Sequence, residues 1–107
     1  PQYAASTTAS VFDAVAAWAK GTRNLPELRF VKHWHDDPGY IAACARRVTE
    51  HWTVHGRPDR LVLSFHGLPK RAVDRGDPYL AECRATATAL IDRLKLPANF
   101  AHVTFQS

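Results

Sequence analysis

Apolar positions recur along this chain with two periods, one helical and one strand-like. Behind the hydroxyl cluster Ser6-Thr7-Thr8, residues Val11, Phe12, Val15, Trp18 and Ala19 fall on one helical face, which predicts a helix ending at about Lys20. The hydroxyls are expected to cap its start. Gly21 ends it, and Asn24-Leu25-Pro26 is a loop. Leu28 to Trp34, with Phe30 and Val31 inside, is expected to be a strand. Asp37-Pro38 then supplies an N-cap followed by a first-turn proline. Tyr40, Ile41, Cys44, Val48 and Trp52 carry a second helix toward Gly56 and Pro58. Leu61-Val62-Leu63-Ser64-Phe65 is almost wholly apolar, as in a central strand of a parallel sheet. His66 to Gly76 is expected to be a loop. Asp77-Pro78 opens a third helix to about Leu94, whose apolar side is Tyr79, Cys83, Leu90, Ile91 and Leu94. Ala101 to Phe105 reads as a last strand.

The order of elements is helix-strand repeated three times. It predicts an α/β fold, a three-layer sandwich with a parallel sheet of three strands and three helices. The 107 residues suit one partial α/β domain covering 1–107. Both ends are expected to be cuts inside a longer chain, because Pro1 is no initiator and Ser107 ends on a strand-like run. In such sheets ligands sit at the C-terminal ends of the strands, and His66 lies just past one.

Hydrophobic residues make up 46% and charged residues 22%, which is ordinary globular composition rather than a disordered one. No signal peptide or bilayer-spanning run is visible. The net charge of +4 raises nucleic-acid binding. However, acidic and basic residues are interspersed, and Arg46-Arg47 and Lys70-Arg71 are the only basic pairs, so the reading is a solvated surface and no nucleic-acid partner. Cys44 and Cys83 lie on helical apolar stripes and are expected to be free thiols in a reducing compartment, with a disulfide or a metal pair as the alternatives.

Ser64-Phe65-His66-Gly67-Leu68-Pro69 concentrates the chemistry. A polar ring emerges at the mouth of a strand, Gly67 lets the backbone turn away, and a neutral imidazole there can take a proton or hold a metal. The alternative is a histidine that only hydrogen-bonds its own loop. His33 and His35 would share one face of a strand, and His51 and His55 are one helical turn apart. Asp36 and Asp37, the metal-friendly neighbours of the first pair, have a simpler job at the helix start, and the second pair has no evident third ligand. Ser64 and His66 lack the setting of a nucleophile elbow, which argues against a serine hydrolase.

Three stretches together resemble the ferrochelatase family. Ser64-Phe65-His66-Gly67-Leu68-Pro69 followed by Gly76-Asp77-Pro78-Tyr79 is similar to its Ser-x-His-[Gly/Ser]-[Leu/Ile]-Pro and Gly-Asp-Pro-Tyr signature. Pro1-Gln2-Tyr3-Ala4-Ala5-Ser6-Thr7-Thr8 is similar to its Pro-Gln-Tyr-x-x-Ser-Thr-Thr segment, and Phe105-Gln106-Ser107 to its (Phe/Trp)-Gln-Ser strand end. The likeness covers the whole chain but only the middle of the family's longer polypeptide. It implies a class II chelatase fold and a lyase of haem synthesis that inserts Fe²⁺ into protoporphyrin IX or coproporphyrin III. His66 matches the active-site histidine, as base or metal ligand. Tyr3, Ser6, Thr7, Gln106 and Ser107 match segments beside the porphyrin. Porphyrin and ferrous iron are the implied partners. The implied setting is the cytoplasm, with any peripheral membrane contact made by flanking segments. An acidic residue needed for the chemistry lies further down the family chain, so these residues alone are expected to be inactive. Iron is substrate and no resident cofactor is implied. Animal members place a [2Fe–2S] cysteine where this chain has Ala5, which argues against that cluster. The rival readings are a chelatase for another metal and tetrapyrrole, and a porphyrin-binding module without turnover.

Overall fold

A computed structural model describes residues 1–107. A π-helical turn, Ala5–Ala9, runs directly into α1 (Ser10–Lys20). Then follow α2 (Pro38–His55), β1 (Leu61–His66), α3 (Lys70–Asp74), α4 (Tyr79–Leu94) and β2 (Ala101–Gln106). The strands pair in parallel, from Leu61 opposite Ala101 to His66 opposite Gln106. With α4 as the crossover, this is the expected α/β class.

The sheet has two strands, not three. Leu28 to Trp34 is extended but joins no ladder; its one backbone hydrogen bond to a distant residue is Trp34 N–H to the Pro1 carbonyl, at 3.4 Å. Its side chains anchor it instead. Phe30 stacks on Phe12 of α1 at 4.5 Å, and Trp34 meets Tyr40 edge-on at 5.2 Å. There are four α-helices rather than three, because α3 forms inside the stretch expected to be loop.

The caps explain where the helices begin. Asp37 Oδ2 accepts from Tyr40 N–H at 3.0 Å, and Pro38 fills the first turn, as the sequence predicts. Ser6, Thr7 and Thr8 do not cap the first helix, which has no side-chain cap of its own. Asp77 does that work from a distance: its Oδ2 accepts from Ala5 N–H at 2.9 Å. Its Oδ1 accepts from Tyr79 N–H at 3.0 Å, at the start of α4. One carboxylate therefore serves two helix N-termini, where negative charge is favoured.

The core is the contact between α2 and α4. Ile41 and Ala45 of α2 and Cys83, Ala87 and Leu90 of α4 are buried, and the small side chains let the helices approach closely. β1 is covered on one face only. Leu61, Leu63 and Phe65 are half-buried, while Val62, Ser64 and His66 are exposed. It is thus not the fully buried strand expected from its apolar run.

The accessible surface is 7752 Å², against about 6,000 Å² for a compact protein of this mass. The radius of gyration is 17.4 Å, against about 13 Å for a compact chain of this length. The excess lies in apolar faces without a partner: Val11 and Trp18 on α1, Phe30 and Val31 in the extended segment, and Val62 on the sheet are all exposed.

Candidate functional site

His66 ends β1 on the open face of the sheet. Its Nδ1 lies 2.7 Å from the Gly67 carbonyl. A carbonyl only accepts, so in the neutral ring Nδ1 carries the proton and Nε2 keeps its lone pair. The chain passes very close beyond this point. Gly67 N–H donates to the Gln106 carbonyl, and a Cβ on Gly67 would sit 2.7 Å from that oxygen. No real Cβ tolerates such a contact with backbone, so glycine is required here by space. The same approach places Gln106 opposite His66 and brings Ser107 beside Gly67. His66, Gln106 and Ser107 therefore converge at the C-terminal end of the sheet, and Phe65 and Phe105 stack behind them at 5.8 Å.

Tyr79 supports this end from α4. Burial, and then its hydrogen bond to Cys83, push the Tyr79 hydroxyl up to about 12, with the backbone of His66 pulling the other way. Sequence periodicity places Tyr79 on an apolar stripe. The signal for more is that a half-buried tyrosine needs a partner for its hydroxyl. Burial also raises the Cys83 thiol. Both cysteines are free.

The other predicted residues lie elsewhere. Tyr3 lines an open cleft of about 490 Å³ together with Lys32, Arg71, Arg75 and Asp77. Lys32 Nζ stands over the Tyr3 ring at 5.1 Å. With three cations against one carboxylate, the cleft suits an anionic group. Ser6 and Thr7 are exposed on the first helical turn, and the Thr7 hydroxyl reaches only the Ala4 carbonyl, at 3.4 Å. His66, Gln106 and Ser107 do not line the cleft. The structure thus divides the predicted residues into a sheet-end group and a cleft group. Lys32 carries no motif signal for the cleft, and Arg75, although beside the Gly76-Asp77-Pro78-Tyr79 motif, is not singled out for it by the sequence. Lys70 and Arg71 are both exposed, as a surface pair would be; Lys70 pairs with Asp74 at 2.8 Å, and Arg71 lines the cleft.

Two histidine pairs were weak signals in the sequence. The rings of His51 and His55 lie 4.3 Å apart on α2, tilted by 36°, and gather no third donor. His33 and His35 do gather one, the buried Glu82 of α4.

Comparison with known proteins agrees with the motifs. The ferrochelatase family profile matches residues 1–107. The ferrochelatase of Methylibium petroleiphilum is 62% identical over all 107 residues, which make up 30% of that protein. The ferrochelatases of Aromatoleum aromaticum and Azoarcus sp. are 58% and 61% identical over the same 107 residues, 29% and 30% of their lengths. The chain therefore spans about 30% of the curated relatives it matches.

Proposed function

This chain belongs to the ferrochelatase family, and on that premise we propose that the protein carrying it inserts Fe²⁺ into a porphyrin to give haem. The observation that carries the reading is the placement of His66. It stands at the C-terminal end of a parallel strand, with Nδ1 held by a carbonyl and Nε2 free to act.

The reaction breaks two pyrrole N–H bonds and forms four Fe–N bonds, releasing two protons as Fe²⁺ enters, so a base beside the ring is needed. Nε2 of neutral His66 accepts the protons one at a time, passing the first to solvent before it takes the second; direct metal ligation is the competing role for the same lone pair. Both require an unprotonated ring, so protonating His66 removes either role. Gln106 and Ser107 sit next to it and present an amide and a hydroxyl for the ring edge. Lys32, Arg71 and Arg75 offer charge to the propionate carboxylates, with Tyr3 as an aromatic wall. Ser6 and Thr7 remain exposed for substrate contact.

Iron is the substrate in this account, and no resident cofactor is asked of these residues. Ala5 offers only a methyl group where an animal-type cluster would need a thiolate. No helix is long and apolar enough to cross a membrane. We place the protein in the cytoplasm, with any bilayer contact made by other segments.

The test is anaerobic metal insertion by the full-length protein, with protoporphyrin IX and coproporphyrin III each offered Fe²⁺, Co²⁺ or Ni²⁺. Preferential formation of haem supports the reading. Preferential loading of another metal makes the protein a different chelatase. Tight porphyrin binding without insertion of any metal makes it a carrier.

A further inference from the structure

We propose that His33, His35 and Glu82 form a binding site for a first-row divalent cation, separate from His66. The ligand atoms of the three residues lie within 4.8 Å of one another, and His66 is not among them. The site is assembled from two places. His33 and His35 are two residues apart on an extended segment, so both rings leave the same side, with their centroids 5.5 Å apart. Trp34 between them turns away to Tyr40. Glu82 comes from the first turn of α4, three residues beyond Tyr79.

Glu82 is buried, its side chain only 6% exposed, and a buried carboxylate needs donors or a cation. Oε2 accepts from Tyr3 N–H at 2.6 Å, and Oε1 lies 2.9 Å from His33 Nδ1. His35 Nδ1 is 3.3 Å from Oε2, yet it is fully buried and has no hydrogen bond. A buried ring nitrogen left without a partner, aimed at a buried carboxylate, calls for a specific explanation. A cation between the three residues supplies one: it takes a lone pair from each ring and an oxygen from Glu82, and it neutralises the carboxylate.

The donor set defines the class of ion. Two imidazole nitrogens and one carboxylate suit Fe²⁺, Co²⁺, Ni²⁺ or Zn²⁺, whereas Mg²⁺ and Ca²⁺ prefer oxygen. Three protein ligands leave a coordination position open, on the side where His33 is 54% exposed. The ion is therefore exchangeable. Outer contacts hold the ligands in place. The Thr86 hydroxyl donates to the His35 carbonyl at 2.7 Å and accepts from the Gln2 amide at 2.9 Å.

The experiment titrates Co²⁺ alone into the metal-free, full-length protein, followed by calorimetry and by the visible absorption of bound cobalt. His33→Ala and His35→Ala are each expected to weaken one equivalent at least about tenfold and to remove its absorption band. That equivalent stays in His66→Ala and in His51→Ala. The exposed His33 can be replaced without disturbing the core, so the His33→Ala result decides the matter even if His35→Ala folds poorly. Unchanged stoichiometry and affinity in folded His33→Ala would overturn the proposal. So would loss of the same equivalent in His51→Ala, which would put the ion on α2, or in His66→Ala, which would merge the two sites.

Discussion

Asp77 accepts from backbone N–H groups at two helix starts, Ala5 before α1 and Tyr79 in α4, 72 and 2 residues away. Removing such a cap costs about 1 kcal/mol, in a range of about 0.5–2. Asp77→Ala therefore loses about 2 kcal/mol, with the smaller share from the exposed Ala5 bond. The full-length chain is several times longer than this one, and at about 2 °C per kcal/mol for such a size the melting temperature falls by about 4 °C. The assay is thermal unfolding of the full-length protein by circular dichroism at neutral pH, with Asp77→Asn beside Asp77→Ala. The asparagine amide has one acceptor oxygen where Asp77 uses two, so Asp77→Asn keeps one of the two bonds and should recover about half of the loss. A loss under about 0.5 kcal/mol in Asp77→Ala would refute the double cap. An Asp77→Asn variant as stable as the parent would also refute it, because one amide oxygen cannot accept both bonds.

Gly67→Ala places a Cβ 2.7 Å from the Gln106 carbonyl. The ends of both strands must shift, at a cost of about 1–3 kcal/mol in urea unfolding, and His66 moves with them, so insertion activity drops further than stability alone explains. The Tyr79 hydroxyl titrates near 10.0 unfolded and about 12 folded. Its contribution is therefore complete below pH 10 and is lost as pH rises through 12. Tyr79→Phe should flatten the stability curve across that alkaline window, and an unchanged slope would count against the buried hydroxyl. Cys83 is fully buried with its thiol pushed up, so iodoacetamide should label it only after denaturation, as read by peptide mass spectrometry.

What could be read in the sequence was local. The helical stripes of α2 and α4 and the apolar run of β1 each declare themselves within a few residues. So does the His66-Gly67 turn, because the glycine is demanded within the same motif. The misread parts depend on distant partners. Leu28 to Trp34 has strand composition, but its aromatic side chains are used to stack on Phe12 and to meet Tyr40 edge-on rather than to fill a sheet. Ser6 and Thr7 look like caps, yet the capping oxygen comes from Asp77. Glu82 is one charged residue in a helix, and nothing near it announces that His33, 49 residues earlier, closes on it. The cationic cleft is also a product of folding, since Lys32 and Arg75 meet only across the tertiary structure.

The central claim rests on the free nitrogen of His66. The most direct measurement is the single-turnover rate of anaerobic Fe²⁺ insertion by the full-length protein and its His66→Ala variant, each with porphyrin binding measured in parallel. The account predicts a rate loss of about 10²–10⁴-fold with porphyrin affinity nearly unchanged. A variant that inserts iron at the parent's rate would contradict it.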